Sequence, residues 1–293
     1  MLELKQVTKS FGSLRALDGL NMTVPQGAVY GLVGPNGAGK TTAIRHITGV
    51  YRPDSGTVTL EGMAIYENPV AKGRIGFIPD DLFFFRNADL EQMRRWYAGV
   101  CPGFDPALFE ALAEAFPLDR KLPLKRFSKG MQKQAAFWLT VACRPELMIL
   151  DEPVDGLDPV MRRQVWSLIL SDVAQRGATV LVSSHNLREL EDICDHVGIM
   201  NGGKMLLERS LADMQGGLCK VQLVGDVPQD LPVLHESCSG RLKTAVVRRC
   251  AEEVQLRLAR VGLTYFDVLP LSLEEIFIYE LGGVDYEIRN IVL

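Results

Sequence analysis

The residues of this chain best suited to chemistry stand in three short runs. In the first, Gly34-Pro35-Asn36-Gly37-Ala38-Gly39-Lys40-Thr41, every fixed position of the pattern Gly-x4-Gly-Lys-Ser/Thr is filled, and Thr42 follows. Glycines let successive backbone N–H groups converge on phosphate oxygens, and a helix starting behind them adds partial positive charge. Lys40 would then reach the β- and γ-phosphates of a nucleotide, and the Thr41 hydroxyl would ligate Mg²⁺. Many classes of nucleoside triphosphatase share such a loop, so by itself it implies the ligand and not the task.

The second run, Leu147-Met148-Ile149-Leu150-Asp151-Glu152, is apolar and ends in two carboxylates. A buried strand could hold Asp151 opposite the phosphates, where it would anchor Mg²⁺, and Glu152 could polarise an attacking water as general base. The competing reading is a solvated strand end. The third run, Val180-Leu181-Val182-Ser183-Ser184-His185, ends in a histidine that could hydrogen-bond a γ-phosphate or the attacking water. A lone histidine at a strand end is often unremarkable, but ligands of parallel α/β sheets sit at the carboxyl ends of the strands.

Elements must exist to hold these groups. Residues 2–10 and 20–33 read as strands, the second feeding the glycine loop, and Thr41–Thr48 reads as a helix stopped by Gly49. Thr57–Leu60 before Glu61-Gly62 reads as one side of a hairpin, and Arg74–Ile78 as a strand ending at Pro79. From about 88 to 144 the apolar residues fall at helical spacing (Leu90, Met93, Trp96, Tyr97; Leu108, Leu112, Phe116), which predicts a helical insert. Strands at Leu147–Leu150 and Thr179–Val182 flank a helix near Val160–Gln175, so the core is predicted to be three-layer α/β with a mostly parallel sheet. A boundary is predicted near Gln215-Gly216-Gly217. Beyond it the short alternating segments Lys220–Val224, Thr244–Arg248 and Val254–Leu258, then a helix Ser272–Leu281, suggest a small α+β appendage over 216–293.

Composition narrows the classes. A net charge of −4 gives no case for nucleic acid as a partner, and Lys121, Lys125, Arg126, Lys129 and Lys133 read as a solvated helical face, partly directed at phosphates. The six cysteines show no CxxC spacing and read as scattered thiols of a reducing compartment. The longest uncharged stretch, Gly19–Gly39, is broken by Asn21, Pro25, Gln26 and several glycines, which makes a poor membrane span. Any passage through a membrane is expected to come from another chain.

Phe127-Ser128-Lys129-Gly130-Met131-Gln132, upstream of the carboxylate strand, resembles the signature motif of ABC ATPases. With the phosphate loop, the helical insert, the carboxylate strand, Gly156-Leu157-Asp158 and His185 in this order, residues 1–215 look like an ABC nucleotide-binding domain, a P-loop NTPase fold with a mixed sheet core and a helical subdomain. The resemblance implies an adenine-stacking role for Phe11 and a head-to-tail dimer. In that dimer Ser128, Gly130 and Met131 of one subunit would face ATP held by the other, in a homodimer or a heterodimer. Ser128 can cap the helix behind it, whose N-terminus suits an anion.

The same resemblance implies an ATP-hydrolysing subunit, peripheral on the cytoplasmic face of the membrane, that drives a separate transmembrane permease. The Ser-Lys-Gly-Met form and the appended domain are similar to those of ABC-2-type exporters, which points to export. One departure stands out: after Pro79 the family's glutamine is replaced by Asp80, which could still hold Mg²⁺ through water but offers no amide donor. Alternatives are a soluble ABC protein acting on nucleic acid, disfavoured by the single ATPase domain, and a module without turnover, disfavoured by Glu152 and His185. Finally, Phe83-Phe84-Phe85 beside Asp80-Asp81 either present an aromatic anchor to the permease or fill the junction with the helical insert.

Overall fold

The computed structural model describes residues 2–280, without the side chains of Gln215, Phe277, Ile278 and Glu280. The expected helix end at Leu281 and the remainder of the appendage lie outside the described residues. The described chain divides into two compact units, one of residues 2–185 with 196–208 and one of 186–195 with 209–280.

The first unit is built on two sheets. β1 (Leu2–Phe11) pairs antiparallel with β2 (Leu14–Val24) and β4 (Ser55–Leu60), and β5 (Met63–Ala64) closes a hairpin on β4 across Glu61-Gly62. The expected single strand over 20–33 is in fact two. Pro25-Gln26-Gly27 breaks it, and β3 (Val29–Val33) joins the other sheet. There β3 lies between β8 (Thr179–Ser184) and β9 (His196–Asn201), and β7 (Leu147–Asp151) lies between β8 and β6 (Ile75–Ile78), all parallel. β10 (Lys204–Ser210) continues the sheet beyond β9 through the turn Gly202-Gly203. Central parallel strands are covered on both faces, so β3, β7 and β8 are buried along their whole lengths.

Helix α1 (Lys40–Ile47) packs against both sheets. Its Ala43, Ile44 and Ile47 share a core with Leu2, Leu4, Leu17 and Met22 of the antiparallel sheet and with Tyr30 and Leu32 of β3. Burying an isoleucine side chain contributes roughly 1.5–3 kcal/mol, so the helix behind the glycine loop is firmly seated. A short helix α2 (Pro69–Lys72) precedes β6.

The insert contains α3 (Leu90–Val100), α4 (Pro106–Ala111) and α5 (Lys129–Ala142). Its core is aromatic: Trp138 stacks on Phe109 at 5.1 Å and donates Nε1–H to the Phe109 carbonyl at 2.7 Å. α6 (Pro159–Arg176) follows β7 and is capped by Asp158, whose carboxylate accepts from Val160 and Met161 N–H at 3.0 Å each.

The second unit carries α7 (Arg188–Glu191), α8 (Leu211–Gly216) and an antiparallel sheet. The strands β11 (Cys219–Val224), β12 (Val233–Ser239), β13 (Leu242–Val247) and β14 (Tyr265–Leu269) lie in the order β12-β13-β11-β14. The expected extended segment Val254–Leu258 belongs instead to α9 (Ala251–Ala259). Val254 and Leu258, four apart, are buried, while Leu256 between them is 64% exposed. Val254 and Leu258 thus serve one helical face, and Glu252, Glu253 and Arg257 suit the helix dipole. α10 (Leu273–Glu280) ends the described chain.

Candidate active site

A cavity of about 400 Å³ opens over the glycine loop, lined by residues 35–42, Asp80, Asp151 and Glu152, with Leu14–Ala16 and Gly202-Gly203 at its rim. The loop geometry follows from its glycines. Gly39 sits at φ +103°, and a Cβ there would meet the Ala16 carbonyl at 2.7 Å, so only glycine fits before α1. Lys40 is buried at 7% exposure and donates Nζ–H to the carbonyl oxygens of Gly34 at 2.6 Å and Pro35 at 3.3 Å, while Glu152 Oε1 stands 4.0 Å away. Burial pulls the Lys40 ammonium below its ordinary pKa, opposed by Glu152 and Asp151.

The carboxylates are placed by β7, which is held on both sides by β6 and β8. Asp151 lies in register with Ser183, whose hydroxyl donates to Asp151 Oδ1 at 2.5 Å. Burial pushes the Asp151 carboxyl up, with Asp80 adding to the effect; hydrogen bonds from Ser183 and Thr41 and the charge of Lys40 oppose it. Glu152 is likewise raised by burial and pulled back by His185 and Lys40. His185 Nδ1 lies 3.0 Å from Glu152 Oε2. Asp155 approaches the same pair, so that Glu152, Asp155 and His185 each offer an atom within 4.8 Å of the others.

Glu152 has an unusual backbone. Its φ of +46° falls in the left-handed region, which costs a side-chain-bearing residue on the order of 1–3 kcal/mol and persists where surroundings over-determine it. Those surroundings are specific. Its N–H donates to the Ser183 carbonyl and hydroxyl, both at 3.2 Å, and its carbonyl accepts from Lys133 Nζ at 2.6 Å.

Lys133 therefore departs from the expected solvated basic face. Lys121, Lys125, Arg126 and Lys129 are exposed, but Lys133 is 5% exposed on the inner side of α5 and lies 3.8 Å from Asp80 Oδ1. Burial lowers its pKa, resisted first by Asp80.

Other expected site residues lie apart. Among the described residues, Phe11 does not line the cavity; it is 43% exposed, with its ring edge-on to Tyr51 at 5.4 Å. Ser128, Gly130 and Met131 also lie outside the lining. The Ser128 hydroxyl accepts from Met131 N–H at 3.2 Å, capping α5, and Gly130 packs close to the Gly156 carbonyl. The aromatic triplet divides: Phe84 is buried, whereas Phe83 is 76% and Phe85 44% exposed, and Phe85 meets Trp96 edge-on at 5.4 Å.

Reading the sequence passed over Ser183 and Asp155 as site residues and set Lys133 on a solvated face. Ser183 left a signal, as a polar residue that follows the apolar run Val180–Val182 of a buried strand.

A family model described as ABC transporter matches residues 17–155. The ABC transporter ATP-binding protein YtrB of Bacillus subtilis is 30% identical over 97% of this chain and 99% of its own length. The Nod factor export ATP-binding protein I of Sinorhizobium fredii is 31% identical over 94% of this chain and 84% of its own. Among solved structures, an ATP-binding subunit of an ABC transporter superposes with a TM-score of 0.68 at 29% identity, covering 73% of this chain and 92% of that one.

Proposed function

The chain belongs to the ABC transporter family as one of its ATP-binding proteins, and we propose that it powers export through separate permease subunits from the cytoplasmic face of the membrane. As a member of that family it binds and hydrolyses ATP. The observation that carries the mechanistic reading is the convergence of Lys40, Asp151 and Glu152 on one cavity, with Glu152 tied to His185. Export is supported by the relative named for Nod factor export. No helix of the described residues is long and apolar enough to cross a membrane. In this reading residues 1–215 are the ATPase domain, with the helical subdomain over about 88–144, and 216–293 an accessory domain.

The phosphates of ATP lie along residues 34–42, and Lys40 exchanges its loop carbonyls for β- and γ-phosphate oxygens. Thr41 and Asp151 fit Mg²⁺: both are hard oxygen donors on the lining of one cavity, and burial together with Asp80 pushes the Asp151 carboxyl up, a strain that a bound cation would relieve. Asp80, on the same cavity, would hold the ion through water. Bound there, Mg²⁺ would neutralise charge gathering on the phosphate oxygens. Glu152 polarises the attacking water and accepts its proton, and His185 orients the Glu152 carboxylate and meets the γ-phosphate. Phe11 stacks on adenine. A second ATPase subunit, identical or homologous, docks head-to-tail so that Ser128, Gly130 and Met131 on its α5 close over this ATP.

Phe83 and Phe85, exposed on the loop that carries Asp80, form the anchor for the permease. Alanine substitutions test this. Phe83→Ala should keep the melting temperature and ATP binding while weakening co-purification with the permease subunit. Phe84→Ala should cost ~3–5 kcal/mol of stability, as a buried aromatic. Undiminished permease capture by a Phe83/Phe85 double-alanine variant would remove this surface from the interface.

A further inference from the structure

Lys133 has no part in the scheme above, yet it touches two of its members. Its ammonium donates to the Glu152 carbonyl at 2.6 Å and lies 3.8 Å from Asp80 Oδ1. The three groups belong to three separate pieces of the unit: α5, the loop after β6, and the end of β7. A buried amine needs a hydrogen-bond acceptor and a counter-charge; here the Glu152 carbonyl supplies the first, and Asp80 is foremost among the carboxylates that supply the second.

The Glu152 peptide is in the left-handed region, which exposed Glu61 and Glu67 reach in surface turns but which here lies half-buried beside the cavity and is held from both ends. Ser183 holds its N–H from β8, and Lys133 holds its carbonyl from α5. With both ends fixed, the side chain leaves the backbone toward His185 Nδ1 at 3.0 Å and Lys40 Nζ at 4.0 Å. Without the Lys133 donor, the peptide could relax toward the right-handed or extended region, and the carboxylate would swing with it. We propose that Lys133 is a positioning residue for ATP hydrolysis: its hydrogen bond to the Glu152 carbonyl fixes the backbone that aims the carboxylate, and Asp80 supplies the charge that keeps the ammonium in place. In this way Asp80 acts through a lysine on α5, where an amide at that loop position would have to act by its own hydrogen bonds. The inference rests on Glu152 being the general base.

The test uses the full-length protein and steady-state MgATP hydrolysis. Lys133→Met keeps the apolar stem and removes the donor and charge. It should lower kcat by roughly ten- to hundredfold, the range of a misplaced catalytic group, with KM for ATP within about threefold of wild type. Lys133→Arg should restore part of the loss. Because Lys133 acts through Glu152, Lys133→Met placed on Glu152→Gln should leave the residual single-turnover rate unchanged. Asp80→Asn should lower kcat alone, and its loss on top of Lys133→Met should be smaller than its loss alone, the remainder being its water-mediated hold on Mg²⁺. If Lys133→Met melts below the assay temperature, Lys133→Gln takes its place. A folded variant with kcat within twofold of wild type would overturn the proposal, as would losses that multiply in the double variants or a KM that rises in step with the fall in kcat. Wild-type turnover by Glu152→Gln would remove the premise instead, and a dead Glu152→Gln beside an active Lys133→Met would remove only the role of Lys133.

Discussion

α1 and α5 both begin with unpaired backbone N–H groups that attract an anion, yet they have become different things. The start of α1 is walled in. Lys40 is buried there, and β7 delivers Asp151 and Glu152 to the same cavity. The start of α5 is open: Ser128 and Lys129 are exposed, and one of its N–H groups is satisfied by the Ser128 hydroxyl. An anion site becomes a reaction site only where a separate strand brings acid–base groups to it. Under the proposed head-to-tail arrangement, the start of α5 would offer recognition without chemistry to a site on another subunit.

The sharpest way to break that contrast is to remove the chemistry and keep the pocket. Glu152→Gln should retain ATP binding and lose turnover by a factor on the order of 10²–10⁴, the usual contribution of a general base, because an amide cannot accept the proton. Phosphate release and nucleotide affinity, measured on the same preparation, separate the two effects; turnover near wild type would leave α1 with a binding site only. Lys40→Ala acts one step earlier. It deletes charge-assisted hydrogen bonds to phosphate, so affinity for ATP should fall by roughly 10- to 100-fold. Calorimetry showing wild-type affinity would mean that the buried ammonium serves the loop carbonyls and not the nucleotide.

The α1 region was legible because its requirements are local. Glycines, lysine and threonine follow one another from 34 to 41, and the apolar strand before them and the helix behind them are contiguous. Asp151, Glu152 and His185 were legible as strand ends, since strand ends on one edge of a parallel sheet converge. Lys133 was not. Its burial is decided by α5 packing against β6, which brings the lysine to the carbonyl of the residue after β7, and no spacing around Phe127–Gln132 announces it. The strained backbone of Glu152 is equally silent, because glutamate gives no sign of positive φ where glycine would. In the second unit, Val254, Leu256 and Leu258 alternate as a strand would, and only the tertiary decision to bury 254 and 258 makes them helical. The break at Pro25-Gln26-Gly27 could have been read from its turn residues, but the apolar residues on either side, Leu20, Met22 and Val24 and then Ala28–Val33, outweighed them.

The smallest expected effect bears most directly on the two helix starts. Ser128→Ala removes the hydroxyl that accepts from Met131 N–H at 3.2 Å, a cap worth about 1 kcal/mol to the helix. Chemical denaturation should show a loss of that size. Ser128 lies outside the cavity of its own chain, so a dilute monomer should bind ATP within twofold of wild type. If the α5 start closes over a neighbour's nucleotide, the ATP-dependent dimer should weaken. That is best read by sedimentation in a Glu152→Gln background, where slow hydrolysis leaves the dimer time to accumulate. Loss of ATP affinity in the monomer would show that α5 serves its own chain's site and would erase the distinction between the two helices. An unchanged dimer together with the expected loss of stability would reduce Ser128 to a structural cap, leaving the recognition role to Gly130, Met131 and the remaining free N–H groups.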